Sequence, residues 1–188
     1  MEDSHCYANT QKRDRNNQDN YKGISLLNTG YKIYSKIIAK RLTAIAEALL
    51  LEEQNGFRKG RSCMDCIFSA LHTIEKHREF NIPTYIAFID LKKKLDSLDR
   101  DNLWTSMLNK VIPTHLVITV RKIHMENIIS VNAGNGISED SKVITQGVRQ
   151  GCPLSPVLFN LYLDEVIKIL LQKLKTSKYF KELIFNTL

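Results

Sequence analysis

Tyr85-Ile86-Ala87-Phe88-Ile89-Asp90 is a short, uninterrupted apolar run that ends in a carboxylate. It follows Asn81-Ile82-Pro83, a helix-breaking triplet, and an apolar run after a breaker predicts a central β-strand covered on both faces. Further along, Gln146-Gly147-Val148-Arg149-Gln150-Gly151-Cys152-Pro153-Leu154-Ser155-Pro156 sets two glycines, an arginine and two glutamines directly before a proline-initiated helix. Glycine lets backbone approach a ligand closely, and the first turn of a helix offers unpaired amides to anionic groups. A tight strand-to-helix turn with solvated polar side chains accounts for the same residues equally well.

Working outward, residues 31–51 place Tyr34, Ile38, Leu42, Ile45 and Leu49 at spacings of three and four, the stripe of an amphipathic helix, with Lys32, Lys36, Lys40 and Arg41 on its other face. Gly56-Phe57-Arg58-Lys59-Gly60-Arg61 is a loop whose two glycines and three cations suit an approach to phosphates. A second helix follows, with Cys63, Ile67, Leu71 and Ile74 on its buried face. Residues 101–109 and 114–125 read as helices separated by Pro113, with Leu103, Trp104, Met107 and Leu108 supplying core. Residues 128–133 and 142–145 read as strands around Gly134-Asn135-Gly136, a hairpin signal. The last helix begins at Pro153 and Pro156 and carries Leu158, Leu161, Val166 or Glu165, and Ile169 inward. Residues 1–20 are polar, with turn chemistry at residues 12–17, and read as a loose lead-in. The sum is an α+β fold, an antiparallel sheet backed by helices.

At 188 residues the chain holds one sizeable core or part of a larger domain. Its 43% hydrophobic and 25% charged residues are those of an ordinary globular protein. No apolar run reaches the length of a membrane span, and the polar start has no secretory signal, so an intracellular location, nucleus or cytoplasm, is expected. The net charge of +7 favours polyanionic partners. Cys6, Cys63, Cys66 and Cys152 read as free thiols. Cys63-x-x-Cys66 with His72 and His77 does not make a zinc site, because the two histidines sit five apart on different sides of a helix and the Cys66–His72 gap is short.

Asp90, held at a strand end, offers hard oxygens to a divalent cation such as magnesium, and two such ions stabilise the attacking and leaving oxygens in nucleotidyl transfer. Taken alone, an aspartate in that setting more often makes a turn or caps a helix.

Four stretches occurring in order carry a resemblance: Tyr21-Lys22-Gly23-Ile24-Ser25-Leu26-Leu27-Asn28, Gly56-Phe57-Arg58-Lys59-Gly60-Arg61-Ser62, Ala87-Phe88-Ile89-Asp90-Leu91-Lys92-Lys93 and residues 147–156. Together, over residues 12–188, they resemble the reverse transcriptase domain of non-LTR (LINE-type) retrotransposons. The resemblance implies a partial right-hand polymerase, with a lead-in at 1–20, fingers at 21–81 and an incomplete palm at 82–188. It implies that Asp90 is catalytic and binds metal together with the Leu91 carbonyl, using two Mg2+ ions. It also implies that Arg58, with Lys59 and Arg61, lies near the triphosphate, and that Gln150 and Gly151 lie beside template and incoming base. An RNA template, a DNA primer and dNTPs would be the partners, with no membrane involved.

The sequence departs from the family within Lys92-Lys93-Lys94-Leu95-Asp96, where members read Lys-Lys-Ala-Phe-Asp. Leu95 stands in place of the aromatic beneath the sugar that excludes a 2′-hydroxyl, and Lys94 in place of a small residue. The family's Phe/Tyr-Ala-Asp-Asp hairpin is expected after Leu188, so this chain alone is expected to be inactive. Asp96, Asp99 and Asp101 are expected to cap or solvate rather than substitute for it. The alternative is a non-catalytic nucleic-acid-binding remnant.

Overall fold

The computed structural model describes residues 4–10, 21–91, 93–125, 128–132 and 142–175. These form, in chain order, β1 (Ser4–Thr10), β2 (Tyr21–Leu26), α1 (Thr29–Ala46), α2 (Cys63–Glu79), α3 (Arg100–Asn109), α4 (Thr114–Met125), β3 (Ile128–Asn132), β4 (Lys142–Val143) and α5 (Ser155–Lys175). Helix starts are capped as their sequences dictate. The Asn28 side chain accepts from the Tyr31 amide at 2.6 Å, and Asp99 accepts from Asn102 at 2.9 Å. The Ser62 hydroxyl accepts from the Met64 amide at the start of α2. The expected role of Asp99 as a cap is thus met.

One hydrophobic cluster runs from Leu27 to Ile167. α5 is its centre, packing against α1 and α3, while α4 packs against α1 and α3. Val157, Leu158, Phe159, Asn160 and Leu161 are buried in succession, so the first turns of α5 are enclosed all round. That enclosure shifts the inner face farther along: Leu163, Asp164 and Ile167 are buried, whereas Val166 and Ile169, expected inside, are exposed. Leu103, Trp104 and Met107 are core, but Leu108 is half exposed. On α1, Ile38 and Leu42 are buried and Ile45 partly so, as is Leu49 just beyond its end, while Tyr34 faces out.

The sheet differs from the expected antiparallel one. Its order is β2-β1-β3-β4, with β1 antiparallel to β2, parallel to β3, and β3 antiparallel to β4. The supposed lead-in supplies a strand at residues 4–10. β3 and β4 match the two expected late strands, while residues 12–17 and the Gly134-Asn135-Gly136 turn lie outside the described residues. The expected central strand at Tyr85-Ile89 is absent. Residues 84–91 have no backbone hydrogen bond among the described residues, and Tyr85 and Phe88 are 89% and 95% exposed. A strand exists only through a partner's ladder, and none of the described segments supplies one. The expected inner face of α2 is likewise left uncovered by the described residues: Ile67 and Leu71 are exposed, Cys63 and Ile74 are intermediate, and of α2 only Cys66 is buried.

Candidate functional site

Three sequence-distant segments meet at the N-terminal end of α5. A turn at residues 93–98 begins with Lys93 in the left-handed region at φ 52°, and the amides of Asp96 and Ser97 bond back to the Lys93 carbonyl at 2.9 and 3.0 Å. The loop at residues 146–151 docks on this turn. The Val148 amide donates to the Leu95 carbonyl and the Gly147 amide to the Leu98 carbonyl, both at 2.8 Å. Gly147 is required twice over: its φ is +72°, and a Cβ would lie 2.6 Å from the Asp96 carbonyl oxygen. Leu95, half-buried against the core, is therefore joined by backbone hydrogen bonding to the loop that carries Gln150 and Gly151.

The loop is also gripped from two other sides. Arg100, the first residue of α3, donates Nε to the Gly147 carbonyl at 2.8 Å and Nη2 to Gln146 at 3.2 Å. Its Nη1 donates to Ile144 at 2.7 Å and to His124 at 2.8 Å. A single guanidinium thus satisfies four carbonyls from β4's exit, the loop and the end of α4. Opposite, the Ser25 amide at the end of β2 donates to the Gln150 carbonyl at 3.0 Å, and a Cβ on Gly151 would come within 3.1 Å of the Ser25 carbonyl. Arg149 stacks its guanidinium 5.1 Å from the Tyr31 ring centroid. The Tyr31 hydroxyl meets the Cys152 thiol at 3.5 Å, and burial, then Cys152, raises its pKa well above the ordinary phenol value. The Ser155 hydroxyl closes the turn by donating to the Arg149 carbonyl at 2.6 Å.

The third segment is residues 56–61. Lys94 lies between two aromatic rings, 5.4 Å from the centroid of Phe57 and 5.6 Å from that of Phe159 on α5. Its ammonium thus lies near two ring faces. Asn160 extends the same junction, donating to the Gly56 carbonyl at 2.8 Å and accepting from Gln54 Nε2 at 3.0 Å. A cavity of about 210 Å3 opens between this loop and α5, lined by Glu47, Phe57, Arg58, Pro153, Pro156 and Asn160 among others.

The candidate residues fall into three groups. Leu95, Gln150 and Gly151 are brought together. Arg58 is buried and turned inward: Nε and Nη2 bond Glu47 Oε1 at 3.0 and 2.7 Å, and Nη1 donates to the carbonyls of Leu51 and Gln54 at 2.7 and 2.8 Å. Lys59 beside it is exposed, and Arg61 pairs with Glu52, whose pKa is lowered by that hydrogen bond and charge. Asp90 and Leu91 stand on the exposed stretch, and no hydrogen bond or ion pair among the described residues joins them to the junction. No group of three or more His, Cys, Asp or Glu among the described residues could hold a metal ion. Cys63, Cys66 and Cys152 are free thiols.

Arg100, Phe57, Phe159 and Asn160 organise this junction and were not singled out by pattern. The arginine directly after a capping aspartate was visible in sequence, but periodicity carries no information on which distant carbonyls a side chain will reach.

A family model described as reverse transcriptase (RNA-dependent DNA polymerase) matches residues 10–185. The chain is 33% identical over 118 residues to the retrovirus-related Pol polyprotein from type-2 retrotransposable element R2DM of Drosophila melanogaster, covering 62% of this chain and 11% of that protein. It is 29% identical over 150 residues to the probable RNA-directed DNA polymerase from transposon BS of the same fly, covering 77% and 16%. To the transposon TX1 uncharacterized 149 kDa protein of Xenopus laevis it is 26% identical over 163 residues, covering 87% and 12%. The chain thus spans between a tenth and a fifth of the length of these relatives.

Proposed function

The chain belongs to the reverse transcriptase (RNA-dependent DNA polymerase) family, as a domain of the non-LTR retrotransposon kind, and on that premise we propose that the junction at the start of α5 is its nucleotide-facing surface. The observation that carries this reading is the interlock of residues 93–98 with residues 146–151, backed by the Phe57–Lys94–Phe159 contact. In this reading Leu95 meets the sugar. Gln150 and Gly151 would then flank the incoming base and the template. Lys59 and Arg61 extend from the adjoining loop toward a triphosphate, and Arg58 acts chiefly by shaping that loop from within. The proposed reaction in the parent polyprotein is RNA-directed nucleotidyl transfer onto a DNA primer.

Enzymes of this family use divalent metal ions, and Asp90 with the Leu91 carbonyl is our candidate for a Mg2+ contact. Hard divalent cations take six or more oxygen ligands. The described residues gather no carboxylate set around Asp90, so they do not by themselves make a metal centre, and no step is assigned to one.

The test is equilibrium binding of a fluorescent dNTP to the chain with an RNA-template–DNA-primer duplex. Lys59→Ala with Arg61→Ala is expected to weaken binding about tenfold, the worth of one or two charge-assisted hydrogen bonds. Leu95→Phe is expected to raise the preference for deoxynucleotides over ribonucleotides. Affinity and sugar preference untouched by both changes would remove the reading.

A further inference from the structure

Cys63-x-x-Cys66 opens α2, and the fold gives its two thiols different settings. Ser62 caps the helix, Cys63 is its first residue and Cys66 its fourth. The Asp65 amide donates to the Ser62 carbonyl at 3.2 Å, three residues back, so the first turn is wound in the tighter 3-10 manner, in which side chains three apart eclipse. Cα atoms three apart on a helix lie about 5 Å from each other, inside the range of about 4.4–6.8 Å that a disulfide spans. Cys63 is half-buried and reaches solvent, whereas Cys66 is 5% exposed.

Packing does not account for Cys66. It is buried, yet it is not part of the hydrophobic cluster that runs from Leu27 to Ile167. Its surroundings are polar instead: the Asn55 side chain hydrogen-bonds the thiol, and the Arg61 guanidinium is near enough for its charge to act on it. Both belong to the loop before α2, where Asn55 Nδ2 also donates to the Glu53 carbonyl at 3.1 Å and Arg61 pairs with Glu52. Burial pushes the Cys66 thiol up, the Asn55 hydrogen bond opposes this, Cys63 and Asp65 add to the rise, and Arg61 opposes it. Cys152 is placed otherwise, inside the cluster and against the Tyr31 hydroxyl.

We propose that Cys63 and Cys66 form a redox-active dithiol, a modification site at which a small soluble disulfide of the glutathione class converts the pair to a disulfide within the first turn of α2. The Cys63 sulfur, the accessible one, attacks one sulfur of the soluble disulfide as a thiolate, forming a mixed disulfide and releasing the first glutathione thiolate, which takes up a proton. The Cys66 sulfur then attacks the Cys63 sulfur, its own proton leaving with the second glutathione. The two cysteines lose two electrons and two protons, and one glutathione disulfide becomes two glutathiones. The new bond takes the Cys66 thiol out of its contact with Asn55 and so loosens the loop at residues 55–61 from α2. None of these steps rests on the nucleotide-site reading.

The experiment equilibrates the whole chain in mixtures of reduced and oxidised glutathione, without nucleotide, and reads the acid-quenched tryptic peptide of residues 62–76, which carries both cysteines with no lysine or arginine between them, by mass spectrometry. That peptide is expected to lose two hydrogens while Cys152 stays unmodified. Cys66→Ser is expected to stop at glutathionylated Cys63. In Cys63→Ser the buried Cys66 is expected to react at least about tenfold more slowly than Cys63 does in the parent, burial being the barrier to attack. Circular dichroism checks that both variants fold. Amide exchange at residues 55–61 is expected to be faster in the oxidised chain than in the reduced one. The proposal is overturned by a peptide that keeps its hydrogens, by a glutathionyl group that persists on Cys63 in the parent, or by Cys66 reacting in Cys63→Ser as fast as Cys63 does in the parent. Disulfide formation in urea-unfolded chain as favourable as in the folded chain would also overturn it, since the spacing alone would then suffice. Identical exchange in the two redox forms would overturn the link to the loop.

Discussion

Gly147 concentrates more of this site's architecture than any charged residue in it. Its positive φ and the 2.6 Å approach of the Asp96 carbonyl leave no room for a methyl group, and the obstacle is backbone that cannot swing aside. Gly147→Ala is expected to cost about 2 kcal/mol or more, read from urea denaturation. An unchanged midpoint would mean that residues 93–98 are not seated on the loop. His124 is a second such residue. Burial pushes its pKa down from 6.5 to about 4; the hydrogen bond between Nδ1 and the Val120 carbonyl opposes this, and the charges of Arg100 and Arg149 add to it. Because the folded pKa lies below the unfolded one, the unfolded chain binds more protons between these values. The contribution of His124 is therefore fully present above pH 6.5 and is lost as pH falls toward 4, a change of about 3 kcal/mol. Stability measured across that window should flatten in His124→Leu, and a parallel pH profile for parent and variant would count against a neutral buried ring.

Among elements, what was legible depended on whether the signal was local. α3 and α4 are found within a residue of their expected bounds, because a capping aspartate, a proline break and a 3.6-residue stripe all act within one turn. α1 and α5 were visible as helices, yet their inner faces were misjudged at Tyr34, Val166 and Ile169, since an enclosed helix such as the start of α5 has no single apolar stripe to read. The candidate-site motifs were legible as loops, but the hand-off from Arg100 to four carbonyls was not, because it joins residues up to 47 positions apart. The run at Tyr85-Ile89 failed for the complementary reason: its composition reports a readiness to pair, and pairing needs a partner that composition does not name. Its state has a direct consequence. The amides of residues 86–91 are expected to exchange with solvent deuterium at close to unprotected rates, while those within α5 are strongly protected. Slow exchange at Ala87 and Phe88 would show that this run pairs in solution.

At the scale of the whole molecule, α5 joins the helices through a buried charge as well as through its apolar side chains. Asp164 is fully buried, receives the Leu51 amide at 2.7 Å and Lys168 at 3.0 Å, and pairs with Lys110, itself buried at the end of α3. Burial alone would raise the Asp164 pKa, but hydrogen bonds from Lys110, Leu51 and Lys168 outweigh it and hold the carboxyl below its ordinary range. One carboxylate thereby fixes the register of α3, α5 and the chain leaving α1. Removing it leaves the buried Lys110 ammonium with only its longer 3.6 Å pairing to Glu165, so Asp164→Leu is expected to destabilise the fold by about 3–5 kcal/mol. Replacing both partners, as in Asp164→Leu with Lys110→Met, removes the stranded charge together with its partner and is expected to recover most of that loss. A double variant as unstable as the single one would show that the Leu51 amide, not the lysine, is the partner that matters, because that amide is left unsatisfied in both.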